Sequence, residues 1–343
     1  MALAPAGRPD RPAWRRQSWK TKGMDWITLT TGEDPRPRVA PGATEAWTAL
    51  SNSVWRATDP ELLELARMRI AMLLRDPGAV ERRPQGAPRV SEDKVASLAD
   101  WPTSPLFSET ERVALAFTER FVIDVAGICD ADRGALTAQL PADQVGGFVI
   151  GLYAFDYERR TELAITRLFD VKAAPAGPGG GATDADVGEV FNELMKTIAR
   201  LHELDPVTTE LVRLRGARQH NCRICQSTRS VQAISGGADE SMFDKIDWYE
   251  TTDLSERHKV ALRLTDAIIT QPTEITPELV SQVRRYFEPA EVVEIVFDIS
   301  RNSAQKVPVA LAADQAHVTE GVEYYGLDDD GDVLFGQEAP VGV

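Results

Sequence analysis

Two cysteines three positions apart are the residues of this sequence with the clearest capacity for chemistry. Cys222 and Cys225 form a Cys-x-x-Cys pattern. Side chains three apart on a helix share a face, close enough for a disulfide after modest adjustment. A thiolate attacks a peroxide O–O bond to form a sulfenic acid, which a second thiol converts to a disulfide. The spacing therefore supplies an attacking and a resolving thiol together.

Positive charge is expected around this pair. Asn221 is a reasonable cap for a helix that would begin at Cys222, and a helix N-terminus carries about half a positive charge, which favours a thiolate. Arg223 and Arg229 add cationic side chains nearby. The pattern predicts a thiol whose pKa is lowered by its surroundings.

Two further residues are candidates for proton transfer. Glu210 precedes Cys222 by twelve residues on the preceding helix, where a partly buried carboxylate could take the thiol proton. Its structural alternative is a first-turn acid that favours the helix dipole, and the spacing supports both equally. His220 could relay protons, although capping the last carbonyls of its helix is the more common role.

Zinc binding is the main alternative for the cysteine pair. A structural zinc site needs four ligands, and the chain has no second Cys-x-x-Cys. The remaining histidines are scattered, so a redox role is favoured, without metal or cofactor. Cys129 stands alone in sequence and is expected to be a small buried apolar residue.

The elements that must position these residues are helical by pattern. Apolar residues recur at three- and four-residue spacing, with a helix expected from about Val207 to His220. Helix starts are expected at Ser108 and Ser255, and at Thr276 followed by Pro277. A stop is expected at residues 236–237, ending a helix that begins near the cysteines. The fold class predicted is all-α, with no sheet.

The two halves of the chain resemble each other. ELARMRIA at 64–71 matches ELVRLRGA at 210–217, and SETERVAL at 108–115 matches SERHKVAL at 255–262. The two blocks keep their order and nearly their spacing, which indicates an internal duplication.

Composition shifts divide the chain into five predicted segments. The linker is a Pro/Gly/Ala run, and the basic, proline-containing start and the acidic end are expected to be tails. The predicted segments are an extension at 1–44, a first helical repeat at 45–171, a linker at 172–183, a second repeat at 184–327 and a tail at 328–343.

Charge and hydropathy exclude several classes of protein. The 343 residues include 38 basic and 53 acidic side chains, a formal net charge of −15. Such a surface repels phosphate backbones, so nucleic acid is not an expected partner. The sequence predicts neither a membrane span nor a secretory signal. Few cysteines and no disulfide framework point to a reducing, cytoplasmic setting.

Glu210 followed by Cys-x-x-Cys within a short helical hairpin resembles the AhpD-like family, also called the carboxymuconolactone decarboxylase-like superfamily. The resemblance covers about residues 184–325, and more weakly about 45–171 through the duplication. It implies that Glu210 is the general base of a proton relay, Cys225 the peroxidatic thiol and Cys222 its disulfide partner. It also implies a homo-oligomer, with a trimer of two-repeat chains favoured and a dimer as the alternative.

The chain departs from this family at two places. The family's relay histidine, four residues after the second cysteine, is here Arg229, which cannot shuttle protons near neutral pH. In the first repeat, Asp76 and Ala79 take the cysteine positions. That half is therefore expected to be structural or to shape the substrate site.

The leading hypothesis is a thiol peroxidase that reduces alkyl hydroperoxides and is recycled by a dithiol such as a lipoyl carrier or a thioredoxin-like protein. A general thiol–disulfide oxidoreductase is closely related. A lyase or isomerase acting on a small carboxylated metabolite is the alternative from another class, with Arg229 holding the carboxylate and Glu210 or His220 moving protons. A non-enzymatic interaction protein with vestigial thiols completes the set.

Overall fold

The computed structural model describes Trp26 and residues 32–82, 84, 87–171 and 185–340. In the described part of the first half, all regular secondary structure is helical. Its helices are α1 (Arg36–Val39), α2 (Pro41–Ser53), α3 (Pro60–Leu73), α4 (Pro77–Glu81), α5 (Glu92–Ala96), α6 (Glu109–Ile123), α7 (Asp130–Gln139) and α8 (Ala142–Phe169), with 3₁₀ turns at Val54–Arg56, Leu98–Asp100 and Val125–Gly127.

The second half combines helices with three short strands. Its helices are α9 (Val187–Ala199), α10 (Pro206–Gln219), α11 (Arg223–Gln226), α12 (Val231–Ser235), α13 (Glu240–Phe243), α14 (Glu256–Thr270), α15 (Pro277–Tyr286), α16 (Pro289–Ser303) and α17 (Lys306–Ala310), with 3₁₀ turns at Asp244–Thr251 and Pro272–Glu274. Its strands are β1 (Thr228–Ser230), β2 (Glu323–Leu327) and β3 (Val333–Gln337).

The three strands correct the prediction that the chain contains no sheet. They form one sheet in the order β1-β2-β3, in which β2 pairs in parallel with β1 and antiparallel with β3. The acidic stretch predicted to open a C-terminal tail instead makes the turn at 328–332 between β2 and β3. The strands are too short and too far apart in sequence for local periodicity to reveal them.

Several local predictions are confirmed. Ser108 and Ser255 cap α6 and α14 through their side chains, and Thr276 caps α15 with Pro277 at its first position. Because each hydroxyl accepts a hydrogen bond from an otherwise unpaired helix N–H, these residue types favour helix starts. The helix predicted from about Val207 to His220 is α10.

Two other local predictions are wrong. The helix at the cysteines lasts one turn and gives way to β1, so residue Gly236 ends a separate helix, α12. Cys129 is exposed rather than buried, because it occupies the N-cap of α7, where its thiol donates to the carboxylate of Asp132 at 3.2 Å.

Equivalent helices recur in the same order in both halves. The helices α3 and α10 begin at Pro60 and Pro206, 146 residues apart, while α6 and α14 begin at Glu109 and Glu256, 147 apart. α7 with α15, and α8 with α16, also begin 147 residues apart. In each half the first of these helices packs on the second and on the last.

The halves share their largest apolar core. One continuous cluster runs from Ala40 to Ala310 and includes Leu63, Phe148 and Val296. Helix α2 of the first half packs against α9 of the second. Each half therefore depends on the other for burial of its apolar faces. The predicted linker and the basic residues at 8–22 of the predicted extension lie outside the described residues, whereas Arg36 and Arg38 of that extension lie in α1.

A buried polar cluster also crosses between the halves. Asp156 on α8 accepts from Arg160 Nε and from Lys306 Nζ, both at 2.7 Å. Arg160 also donates to the carbonyls of Ile268 and Ile269 at the end of α14. These bonds satisfy buried charges and helix-end carbonyls together, which is the condition for tolerating charge in a core.

Among the described helices, none combines the length and the apolar character needed to cross a bilayer.

A carboxyl group on α16 makes the stability of this core depend on pH. Asp298 is buried, and burial raises its pKa from 3.8 to about 7. The folded chain thus keeps a proton that the unfolded chain loses above pH 4, so the stability associated with Asp298 falls as pH rises from about 4 to 7. We expect Asp298→Asn to be more stable than wild type at pH 8, on the order of 3 kcal/mol, and similar at pH 4.

Urea unfolding at pH 4, 6 and 8 measures this difference. Asp329→Asn, an exposed carboxyl in the turn before β3, is the matched control and should follow wild type at every pH. Parallel pH profiles for wild type and Asp298→Asn would contradict the prediction.

Candidate active site around Cys222 and Cys225

A sharp reversal of the chain positions the two cysteines. Helix α10 ends at Gln219, and Asn221 adopts a left-handed conformation with φ 51°. Asparagine tolerates this region better than most residues. Cys222 then becomes the N-cap of α11, one position later than predicted, and Cys225 lies in its single turn.

The two thiols differ in their access to solvent. Cys222 is fully buried, whereas Cys225 is partly exposed and lines a cavity of about 310 Å³. Both are free thiols. A molecule in this cavity would therefore meet Cys225 first, with Cys222 behind it.

The environment also separates the two thiols electrostatically. The hydrogen bond from Cys222 lowers the pKa of Cys225, against the effect of burial, and the positive charge of Arg213 lowers it further. The same hydrogen bond, together with burial, raises the pKa of Cys222. Because the thiolate is the nucleophilic form, Cys225 is the more reactive of the two.

Glu210 is held in place by four hydrogen bonds. Arg213 donates to both carboxylate oxygens, from Nε to Oε2 at 2.6 Å and from Nη2 to Oε1 at 2.7 Å. The backbone N–H of Ser230 and the hydroxyl of Tyr325 donate to the same two oxygens at 3.1 and 3.0 Å. A carboxylate so committed is a poor proton acceptor, which favours a positioning role over the predicted base.

Arg213 also binds the backbone of the cysteine turn. Its Nη1 donates to the carbonyl of Cys225 at 2.8 Å, and its Nη2 donates to the carbonyl of Thr228 at 2.7 Å. Since its guanidinium is nearly buried, these bonds join α10, α11 and β1 rigidly. The Glu210–Arg213 pair therefore fixes the backbone of Cys225.

Asp314, which sequence analysis did not single out, occupies the N-terminus of α11. Its carboxylate accepts from the backbone N–H of Arg223 at 2.9 Å and from Arg223 Nη2 at 2.6 Å, and its carbonyl accepts from the N–H of Ile224. The free amides expected to favour a thiolate are thus bound by Asp314, one through its carboxylate and the other through its backbone carbonyl. The lowered pKa of Cys225 arises from Cys222 and Arg213 instead.

His220 and Arg229 lie away from the Cys225 cavity. The imidazole Nε2 of His220 lies 3.2 Å from Ser303 Oγ and 3.4 Å from the Tyr157 hydroxyl, and burial lowers its pKa well below the ordinary value. Arg229 pairs with Glu240 at 2.9 Å and donates to two backbone carbonyls. Neither residue lines the cavity, so neither is placed to move a substrate proton.

The walls of the cavity come from the second half of the chain alone. Besides Cys225, Arg213 and Thr228, the lining comprises Phe191 and Met195 of α9, Ile224 of α11, Arg301, Asn302, Ala304, Gln305 and Pro308 of the α16–α17 segment, and Tyr325, Val333 and Phe335 of the strands. The strands had no strong sequence signal, so their share of the site was not predicted. The cavity suits a compact, largely apolar molecule.

The first half repeats this hydrogen-bonding pattern without the thiols. Arg67 donates to both carboxylate oxygens of Glu64 at 2.7 and 2.8 Å, and its Nη1 donates to the carbonyl of Ala79 at 2.8 Å. Asp76 caps α4, as Cys222 caps α11. The ion pair thus occurs where no cysteine needs activation, which supports an architectural role.

Within the described part of the chain, no three His, Cys, Asp or Glu side chains are grouped as a metal site would require.

The matched ion pairs provide a test of what Glu210 does. Glu210→Gln and Glu64→Gln each leave a buried arginine without its carboxylate, so both should destabilise the chain by about 3–5 kcal/mol. Glu210→Gln should not slow alkylation of Cys225 at pH 7, because it removes a negative charge that raises the pKa of Cys225. Urea unfolding and iodoacetamide kinetics measure the two effects.

Glu64→Gln is the control for stability, since it breaks an equivalent pair far from any thiol in sequence. A large fall in the alkylation rate in Glu210→Gln, with Glu64→Gln at the wild-type rate, would instead assign Glu210 the role of proton acceptor.

Comparison with known proteins adds relatives but no activity. No family model matches the chain, and no solved structure matches it. Two Mycobacterium tuberculosis proteins, "Uncharacterized protein MT2376" of strain CDC 1551 / Oshkosh and "Uncharacterized protein Rv2313c" of strain ATCC 25618 / H37Rv, are each 38% identical over 234 residues. Each alignment covers 67% of this chain and 82% of the relative. The chain belongs to the family of these mycobacterial proteins.

Proposed function

We propose that the protein is a thiol peroxidase that reduces organic hydroperoxides through a Cys225–Cys222 dithiol cycle. The observation that carries the proposal is the arrangement of the two sulfurs. Cys225 faces the cavity with a lowered pKa, and the buried Cys222 is hydrogen-bonded to it. Attack and resolution of a sulfenic acid require these two positions.

The reaction proceeds in two steps. The Cys225 thiolate attacks the terminal oxygen of R–O–O–H, the O–O bond breaks, and the alkoxide takes a proton from solvent to leave as the alcohol. Cys222 then attacks the sulfenic sulfur, and its thiol proton departs with the hydroxide as water. The two sulfurs are oxidised to a disulfide by two electrons, and the peroxide is reduced by two.

A dithiol reductant must then reopen the disulfide. A lipoyl carrier or a thioredoxin-like protein would supply two electrons and two protons by thiol–disulfide exchange at Cys225, the accessible sulfur. Such a cycle suits a reducing, cytoplasmic compartment, which we also propose.

We further propose that the chain is a tandem duplication of an AhpD-like helical repeat. The recurrence of four helices at spacings of 146 and 147 residues supports this, as do the paired Glu64–Arg67 and Glu210–Arg213 contacts. The first repeat would have kept the architecture and lost the chemistry. Three such chains would form a ring of six repeats, so a trimer is favoured over a dimer.

The lyase alternative has less support from the geometry. It required Arg229 to hold a substrate carboxylate, but the guanidinium of Arg229 is bound to Glu240 and lies outside the cavity lining. It also required a mobile proton on Glu210 or His220, and neither is positioned for that. A general oxidoreductase without peroxide preference would show disulfide exchange without peroxide reduction.

Single cysteine replacements test the peroxidase directly. With one equivalent of cumene hydroperoxide, Cys225→Ser should leave Cys222 unoxidised, because that sulfur is fully buried behind the cavity. Cys222→Ser should still react but stop at a sulfenic acid on Cys225. Mass spectrometry with a dimedone trap distinguishes these species.

Cys129→Ser is the control, because this exposed thiol lies outside the site and should not affect peroxide consumption. Wild-type peroxide consumption by Cys225→Ser would refute the proposal.

Replacement of Arg229 tests whether position 229 belongs to the relay. Arg229→His restores the residue type of the family's relay, yet the side chain faces Glu240 and Phe243. We therefore expect no increase in peroxide turnover and a loss of stability of about 1–3 kcal/mol from the unpaired partners. Steady-state peroxidase assays and urea unfolding measure this, and a severalfold gain in turnover would contradict it.

A further inference from the structure

We propose that Gln305 and Asn302 form the polar end of the Cys225 cavity and orient the O–O bond of a hydroperoxide whose organic body is compact and apolar. The proposal deepens, and rests on, the peroxidase function proposed above. It assigns the selection of organic hydroperoxides over hydrogen peroxide to these two amides together with the apolar walls that hold the organic body against them.

Three buried amide atoms in the cavity wall carry the argument. Gln305 Nε2 and Oε1 and Asn302 Nδ2 have no hydrogen-bond partner within the described chain, although the side chains are only 7% and 9% exposed. A buried unpaired polar group costs about 1–3 kcal/mol, so such groups are rare without a purpose. Both residues line the same cavity as Cys225. A ligand there would supply the missing partners.

The backbone segments that carry both amides are held at fixed positions. Asn302 lies in the last turn of α16, and Gln305 precedes α17. The next residue, Lys306, is anchored in the core by its bond to Asp156. Preorganised donors of this kind lose little entropy when a ligand binds.

A glycine on α10 makes room for the Gln305 amide. A Cβ atom added to Gly216 would lie 3.4 Å from Gln305 Nε2, at the inner limit of van der Waals contact, so a larger side chain would meet this amide. The position equivalent to Gly216 in the matching block of the first half is Ile70. The space for this amide is therefore a feature of the half that carries the thiols.

The chemistry of the two amides matches a hydroperoxide. The group O–O–H donates one hydrogen bond and accepts others, while Gln305 offers both an acceptor and a donor and Asn302 a second donor. During attack by the Cys225 thiolate, negative charge develops on the oxygen bonded to carbon. An amide N–H directed at that oxygen stabilises the departing alkoxide.

The remaining walls select the organic body. Phe191, Met195 and Pro308 supply apolar surface, and the strand residue Phe335 closes the same cavity. Hydrogen peroxide has no apolar group to bury against these side chains, so it gains little from the site. The cavity volume of about 310 Å³ limits the body to a compact one.

The test compares two peroxides on two variants. Gln305→Met and Asn302→Leu remove the amides and keep similar side-chain volume. Each should slow oxidation of Cys225 by cumene hydroperoxide by about tenfold or more. Oxidation by hydrogen peroxide, which the apolar walls do not hold against the amides, should slow by less, and labelling by methyl methanethiosulfonate should stay within about twofold. Gln271→Met is the matched control, because Gln271 also has an unpartnered buried oxygen but lies outside the cavity.

A binding measurement separates this proposal from the peroxidase itself. Cumyl alcohol, the product of cumene hydroperoxide reduction, should protect Cys225 from labelling in wild type and in Gln271→Met, and less in Gln305→Met. If the protein shows this difference in protection but reduces no peroxide, the amide site is supported and the peroxidase function is refuted. Equal protection in all three proteins, or equal slowing of both peroxides in Gln305→Met, would overturn the proposal.

Discussion

The buried ion pair between Glu210 and Arg213 connects the elements that hold the cysteine turn. The two residues lie on α10, and their remaining hydrogen-bonding capacity reaches the cysteine turn, strand β1 and, through Tyr325, strand β2. A buried pair is tolerated only when its lone pairs and protons are satisfied, and here each neighbour is a backbone or hydroxyl group. The requirement to satisfy one arginine thus fixes the position of Cys225.

The first half shows what this pair does without chemistry. Glu64 and Arg67 form the same two-point ion pair and hold the carbonyl of Ala79, yet no thiol is present there. The pair is therefore a device for closing the turn after the helix. In the second half the same device also places a guanidinium charge beside Cys225, where it lowers the thiol pKa. The ion pair that closes the turn therefore also makes Cys225 more acidic.

The position of the site in the second half depends on contacts with the first half. Asp156 of α8 receives both Arg160 and Lys306, and Lys306 directly follows Gln305 of the cavity wall. Packing of the first half therefore determines where a residue of the second-half site stands. This dependence gives the first half, which has no cysteine pair, a physical role: its helices complete the core on which the site is built.

Local physical chemistry in the sequence determined the helices, their caps and the position of the thiol pair. Ser108, Ser255 and Thr276 cap helices as their side-chain hydroxyls require, and the spacing of Cys222 and Cys225 places them in one turn. These features depend on neighbours a few positions away, which is the range over which sequence patterns are informative.

Only the tertiary structure decided which groups surround the thiols. Glu210 is bound by Arg213, Ser230 and Tyr325, and the N-terminus of α11 is occupied by Asp314, some ninety residues further along the chain. The direction of Arg229 away from the cavity, and the exposure of Cys129, likewise depend on contacts that no local pattern encodes. Charge and hydrogen bonding act through space, so residue type alone could suggest these roles, and only the packing of distant segments could assign them.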